Sequence, residues 1–278
     1  MCEIEPADDG NRRSDFNSLA CDYAKFRTSY SEALFDLILR YAATPPDGRV
    51  LDLACGTGLG MVAYVRRGLA VTGIDLAPAM LEQARAAMPL QARVEFVIAQ
   101  AEALPFANAS FDLISCAQAF HWFEARAAFT ECARVLRPGG ALAIFWKHAA
   151  ADDALTDACE QIIREWLGDE AAVRSRDHAI EHETGWPLFW QHVARAGSPA
   201  GSQPLVDGQK HVLEFTLSRT ADEFVGYQRS REKIRKVLGE RRSEFLAELD
   251  RRLQASLPEG RAVTQRQIQY AFLARKSA

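Results

Sequence analysis

Hydrophobic and polar positions along this chain follow two periods, and the switches between them outline its elements. The apolar run Val50-Leu51-Asp52-Leu53 reaches a glycine turn at Cys55-Gly56-Thr57-Gly58, a helical stretch follows, and a second apolar run closes on Gly73-Ile74-Asp75. Strand, turn, helix and strand in that order predict a doubly wound α/β sheet. Upstream, apolar positions at helical spacing predict a helical region over about Phe16–Ala43 that ends before Pro45-Pro46. Within it Tyr23, Phe26, Arg27 and Tyr30 fall at i, i+3, i+4 and i+7, which puts them on one face if the helix is continuous. Downstream, Ala154–Leu167, Ala221–Leu238 and Glu240–Leu253 carry helical patterns, and Phe245, Leu249 and Leu253 form the apolar stripe of the last. His211–Leu217 alternates with period two, and Gln265–Ala274 predicts a final strand.

The glycine turn says what kind of ligand to expect. Gly56 and Gly58 let the backbone approach a bound molecule, and Asp75 follows at close to the roughly 20-residue spacing that places a carboxylate on a ribose. Its oxygens are expected to accept from both ribose hydroxyls. The dinucleotide fingerprint is incomplete, because Leu59-Gly60-Met61 follows Gly58 and the third glycine is absent from its place. Asp52, four residues before Gly56, also argues against a pyrophosphate. A carboxylate at the mouth of the first strand repels phosphate and attracts an ammonium group.

On these residues the chain resembles the class I S-adenosylmethionine (SAM)-dependent methyltransferases. Their first motif reads like Leu51-Asp-Leu-Ala-Cys-Gly-Thr-Gly58, and their ligand has an amino-acid end and an adenosine end. Four later segments resemble the family in the same order: Asp75–Arg85 with Pro78 opening a helix, Phe96–Phe106, Ser110–Phe123 and Arg134–Lys147. The resemblance implies a Rossmann-like sheet of seven strands, mostly parallel with one antiparallel strand, flanked by N-terminal helices, a helical cap and a C-terminal extension. It implies an N-terminus at 1–15 expected to be mobile, a helical lid at 16–45, a SAM-binding core at 46–148, a cap insertion at 149–210, and strands and helices at 211–278 that complete the sheet. SAM is the implied cofactor and S-adenosylhomocysteine (SAH) the product. Implied cofactor contacts are Tyr23, Arg27, Asp52, Ala54, Gly56, Gly58, Asp75, Leu76, Met80, Gln100, Ala101, Glu102 and Ala117. Met80 would cover one adenine face, with ordinary helix core beside Ala84 as the alternative. Where the family commonly has Gly-Asp, this chain has Ala99-Gln100, so the Gln100 carbonyl would meet the adenine amino group without a charge.

Composition narrows the partners. With 278 residues, 48% hydrophobic and 25% charged, the chain exceeds the usual single domain of roughly 100–200 residues, so something beyond the nucleoside fold is present. A net charge of −4 with interspersed signs offers no field for nucleic acid or anionic lipid. The six cysteines are scattered and read as reduced thiols of a cytoplasmic protein. The start of the chain lacks an apolar h-region, and no apolar run approaches the roughly 18 residues that cross a bilayer. A monomer or homodimer with a small-molecule acceptor and no membrane partner is expected. His178 and His182 stand four apart but have no third ligand in a fitting motif, so no metal is expected. Trp186, Phe189 and Trp190 read as a cap that closes the substrate pocket or packs under it.

Methyl transfer from a sulfonium is an in-line displacement that needs alignment and exclusion of water, with no covalent enzyme group. What else it needs depends on the acceptor: a carboxylate needs no base, a hydroxyl or carbon acid needs one, and an amine must shed a proton. The loop Ala117-Gln118-Ala119-Phe120 lacks the Asn/Asp-Pro-Pro-aromatic pattern of adenine methyltransferases, and Cys116 follows Ser115 where a cytosine enzyme needs Pro-Cys. His121 is the candidate general base, with simple packing of His-Trp the alternative. Arg27 reads as a bidentate clamp for a carboxylate, of SAM or of the acceptor. Tyr30, His121, Trp122 and Trp146 are the implied substrate pocket. Phe26-Arg27, Phe120-His-Trp-Phe123 and the helical tail are similar to the trans-aconitate type methyltransferases, which implies oxygen methylation at a carboxylate or acidic hydroxyl. Two alternatives stand beside it: methylation of protein or RNA, and a SAM-binding regulator without transferase activity.

Overall fold

The computed structural model describes residues 12–150, 153–170, 187–195, 204–256 and 262–277. Strands β1 (Arg49–Leu53), β2 (Ala70–Asp75), β3 (Val94–Ile98), β4 (Phe111–Ala117), β5 (Leu136–Ala149), β6 (Val193–Arg195), β7 (Leu205–Arg219) and β8 (Val263–Lys276) form one sheet in the order β3-β2-β1-β4-β5-β8-β7-β6. Only β8 runs against its neighbours, pairing antiparallel with both β5 and β7. The other pairs are parallel. Strand order turns back between β1 and β4, and such a switch point opens a crevice at the carboxyl ends of the strands. The sheet has eight strands where seven were expected, because the three-residue β6 adds to the edge beyond β7. A strand that short leaves no periodic signal in the sequence.

Both faces of the sheet are covered, which is why Val50–Leu53 reads as a continuous apolar run and is buried throughout. One face packs Phe111, Phe120, Phe129, Trp146, Phe189 and Phe272. The other packs Phe35, Ile38, Tyr64, Phe145 and Leu273. A third core joins α6 (Ala154–Leu167), α8 (Ala221–Arg229), α9 (Glu232–Leu238) and α10 (Arg242–Ser256), where the predicted stripe Phe245, Leu249 and Leu253 is fully inside. Phe189 and Trp190 belong to α7 (Pro187–His192), with Phe189 in the sheet core against Phe272. Trp186, His178 and His182 lie outside the described residues.

The helical region predicted over about Phe16–Ala43 and the helix predicted over Ala221–Leu238 each consist of two helices. The first divides into α1 (Arg12–Phe26) and α2 (Glu32–Ala42), because the Ser31 hydroxyl accepts from Leu34 N at 3.3 Å and caps a new helix. Tyr30 therefore leaves the face of Tyr23 and Arg27 and meets the Phe145 ring edge-on at 4.9 Å. The second breaks at Ser230-Arg231, where Ser230 Oγ donates back to Tyr227 O at 2.7 Å. The remaining helices are α3 (Met61–Arg66), α4 (Pro78–Ala87) and α5 (Ala125–Val135).

Helix α1 joins the nucleoside fold to the C-terminal helices. Asn17 Oδ1 accepts from Ala79 N in the first turn of α4, and Asp22 pairs with Arg229 of α8 at 3.0 Å. The Phe26 ring fills the space above Gly226, where any Cβ would overlap it. Among the described residues, no three His, Cys, Asp or Glu side chains gather as a metal would need, no disulfide forms, and no helix is long and apolar enough to cross a membrane.

Candidate active site

The turn after β1 takes the left-handed conformation at Gly56 (φ 54°) and Gly58 (φ 79°), which other residues adopt only under strain. The two glycines do different work. A Cβ at Gly56 would meet nothing within 4 Å, so its backbone faces open space. A Cβ at Gly58 would lie 2.7 Å from Met88 Cε, so that glycine serves the packing of the turn on α4 and its neighbour. Asp75 closes the turn: Oδ2 accepts from Gly56 N and Oδ1 from Ala77 N, both at 2.9 Å. Each oxygen keeps a lone pair for a further donor such as a ribose hydroxyl. Leu76 beside it is half-buried.

Asp52 is 1% exposed, and its Oδ1 has no hydrogen-bond partner among the described residues. Burial pushes its carboxyl up to about 7, the Asp75 charge adds to this, and a hydrogen bond with Ser115 partly opposes it. The Tyr64 hydroxyl in turn donates to Ser115 Oγ at 3.3 Å. An orphaned carboxylate oxygen in a buried place is a costly arrangement that a cationic ligand relieves. With open space at Gly56 and Asp75 at the end of β2, the chain's own residues fit SAM: Asp52 for the ammonium, the Gly56 turn and Asp75 for the nucleoside.

Other expected contacts are spread around this centre. Met80 is buried with Ala20 and Ala77, flanked by Phe16 and Tyr23, so α1 forms a roof over the start of α4. Gln100 is exposed just after β3, and Ala101 behind it is buried. Glu102 turns to α5, where it accepts from Glu124 N at 2.8 Å. Ala54 has a positive φ of 48°, and the Ala117 Cβ lies 3.9 Å from where a Gly60 Cβ would be. Trp146, expected in the substrate pocket, is core, because alternate residues of β5 face opposite sides of the sheet and its ring packs edge-on to Phe272. Its indole Nε1 donates to His121 Nδ1 at 3.4 Å. That bond engages the lone pair a general base would use and leaves the His121 proton on Nε2. Trp122 meets Phe16 of α1 edge-on at 5.8 Å.

Beside the Asp52 pocket stands a cluster of cations. The Arg27 guanidinium lies over the rings of Tyr23 (4.7 Å) and Tyr227 (4.9 Å), and its Nε donates to Ser230 Oγ at 2.9 Å. Lys147 Nζ donates to Thr28 O, to Thr28 Oγ1 at 2.8 Å and to Ser29 O at 2.6 Å. Arg219, 4% exposed, donates to Gln265 Oε1 at 3.2 Å and to Thr28 Oγ1 at 3.3 Å, and lies 4.2 Å from the Tyr227 ring. Among the described residues none of the three forms an ion pair with a carboxylate. Burial, then the charges of Arg219 and Arg27, hold the Lys147 ammonium well below the usual lysine range. Tyr30 connects the two halves. Burial raises its pKa well above the usual value, Tyr23 and Asp52 add to that, and Arg27 opposes it.

Sequence reasoning named Arg27 and Tyr30, and the structure places Lys147, Arg219, Thr28 and the glutamines of β8, which it did not name as site residues, beside them. A signal for the last was present. Gln265, Gln267 and Gln269 recur with period two, alternating with Thr264, Arg266 and Ile268, and all three are buried on one face.

Comparison with known proteins bears on the family and the fold. Residues 51–144 match the methyltransferase domain family. An uncharacterized methyltransferase of Mycobacterium tuberculosis (strain ATCC 25618 / H37Rv) is 40% identical over 131 residues, 47% of this chain and 51% of that protein. The chain thus spans about half the length of the first curated relatives it matches. An uncharacterized methyltransferase of Synechocystis is 31% identical over 196 residues, covering 65% of this chain and 86% of that protein. The solved structure of a protein assigned as a type II methyltransferase from Anaeromyxobacter dehalogenans superposes with a TM-score of 0.60 at 24% identity, covering 91% of this chain and 98% of that one. That likeness is one of fold.

Proposed function

Because the chain belongs to the class I SAM-dependent methyltransferases, its chemistry is methyl transfer, and we propose that it methylates an acidic oxygen, a carboxylate or acidic hydroxyl, on a small-molecule acceptor. The observation that carries this reading is the cluster of Arg27, Lys147 and Arg219, three partly or wholly buried cations with no carboxylate paired to them among the described residues, beside the Asp52 pocket. Cations so placed favour an anionic acceptor and hold it ionised, so the nucleophile arrives without its proton. No general base is then required. This agrees with a His121 whose Nδ1 is already engaged by Trp146.

SAM, when bound, supplies a methyl group activated on a cationic sulfur. Asp52 holds the ammonium end by charge, and Asp75 orients the ribose through the oxygen lone pairs left by Gly56 and Ala77. Helix α1 and the segment Arg27–Ser31 cover the centre, and Lys147 anchors that segment to β5 through the Thr28 and Ser29 oxygens. Excluding water strengthens every one of these electrostatic contacts.

A panel of carboxylates, phenols and amines incubated with protein and SAM, with SAH release as the readout, tests the proposal. Turnover on carboxylates or acidic phenols is expected. Turnover confined to amines, or SAM binding with no release on any acceptor, overturns it.

A further inference from the structure

We infer that strands β5, β7 and β8 and the link between α1 and α2 build a second anion subsite, made of Lys147, Arg219, Gln269 and Thr28, which selects acceptors by an oxyanion group that is not methylated. The inference rests on the proposal that the acceptor is acidic, and it adds which residues read the acceptor's other end. Lys147 and Arg219 both donate to one atom, Thr28 Oγ1, so two cations from different strands converge on a single point. Arg27 belongs to the same cluster, stacked between Tyr23 and Tyr227 with its Nε on Ser230, while the Lys147 ammonium lies 4.9 Å over the Tyr30 ring. A single acid group on the acceptor would match one of these three cations and leave the others without an ion-paired partner among the described residues. Asp153 and Glu223 act on Arg219 by charge from a distance without forming an ion pair with it, and Asp153 Oδ2 accepts from Thr156 N, Thr156 Oγ1 and Gln265 Nε2.

A second observation is independent of charge. Gln269 lies directly opposite Lys147 in the β5–β8 ladder, so both side chains leave the same face of the sheet. Gln269 is 0% exposed, and its Nε2 has no hydrogen-bond partner among the described residues. Its orientation is set by Ser31, whose hydroxyl oxygen accepts from Leu34 N and whose proton goes to Gln269 Oε1 at 2.5 Å. The open end of the amide is therefore the donor. Two cations and a buried, unused N–H group on one sheet face ask for a ligand that brings only acceptor oxygens and negative charge, which describes a carboxylate or a phosphate-type group.

Matched probes test this on the full chain saturated with SAH. By calorimetry, succinate or 3-phosphonopropionate should bind at least about tenfold more tightly than butyrate, the gain expected of one charge-assisted contact. The tighter of the two dianions identifies the group the subsite takes. In Arg219→Gln and in Gln269→Glu the preference should fall to about twofold or less, with SAH affinity and melting temperature held. Gln269→Leu, which keeps an apolar body in place, should give an intermediate loss. Equal binding of butyrate and both dianions by the parent protein overturns the subsite, as does a preference that survives Arg219→Gln and Gln269→Glu. Turnover separates this from the acceptor proposal: equal methylation of butyrate and succinate removes the subsite alone, whereas Arg219-dependent binding of the dianions with amines as the only methylated acceptors removes the acceptor proposal alone.

Discussion

Replacing Asp52 with asparagine should convert a pH-dependent ligand site into a pH-independent, weaker one. In the free protein burial holds the carboxyl near 7, with one oxygen unpartnered, so about half of the molecules are ionised at pH 7 and about one-tenth at pH 6. A cationic amine binds the ionised form. Affinity for SAH should therefore fall about fivefold from pH 7 to pH 6 and approach tenfold per unit below that, a range in which an α-amino group keeps its proton. At pH 7 each binding event should release about half a proton, visible as a heat that changes with the ionisation enthalpy of the buffer. Asp52→Asn should weaken SAH binding by about 1.5–3 kcal/mol and flatten the profile. Stability moves the other way. The folded-state pKa lies above the unfolded value of 3.8, so the native state holds more protons across that window, and the ligand-free protein loses stability as pH rises from about 4 to about 7. Asp52→Asn is therefore expected to melt higher than the parent at pH 8 without ligand and to gain less from SAH. A flat parent profile between pH 5.5 and 7.5, or an asparagine variant that keeps the slope, refutes the reasoning.

Asp75→Ala should weaken SAH binding by about 1.5–3 kcal/mol and also lower the melting temperature, because the same carboxylate ties Gly56 N and Ala77 N; unchanged affinity by calorimetry would remove Asp75 from the cofactor site. Gly56→Val adds a branched side chain to a backbone at φ 54° in open space, so SAH binding should vanish in protein that is still folded by circular dichroism, and retained binding would place the site on another loop. On one identified acidic acceptor, Arg27→Ala should reduce kcat/KM by about 1.5–3 kcal/mol and His121→Ala should change kcat little; a loss of about 10²–10⁴-fold in kcat from His121→Ala would restore a base at that position.

The residues proposed for the nucleoside half could be named from sequence because they lie at short range. Asp52, Gly56 and Asp75 lie within one strand-turn-helix-strand unit, so backbone geometry fixes their relation as soon as the elements form. The acceptor half is assembled from residues far apart in sequence: Arg27 reaches Ser230, and Lys147 and Arg219 meet on Thr28. No local period links these residues. The helices divide at serines, Ser31 and Ser230, where a hydroxyl offers the backbone a local bond that propensity alone does not weigh. Trp146 and Lys147 leave opposite faces of β5, the indole into the core beside His121 and the ammonium toward Thr28, an alternation hidden in a strand that is buried on both sides.

The break at Ser31 is itself what makes the acceptor half possible. A continuous helix would satisfy the carbonyl groups of residues 27–31 internally, whereas the extended segment leaves Thr28 O and Ser29 O to accept from Lys147 and the Thr28 hydroxyl to receive Arg219. The oxygens that hold the cations are neutral, so they fix the geometry of Lys147 and Arg219 without cancelling their charge. An acidic acceptor supplies that charge on arrival. Methylation of its reacting oxygen then removes one negative charge next to Arg27, so the product is held less firmly than the substrate by the same residues. Under this reading product release needs no separate device, and SAH and ester should leave a site whose affinity for the acceptor depends on the charge that the reaction consumes.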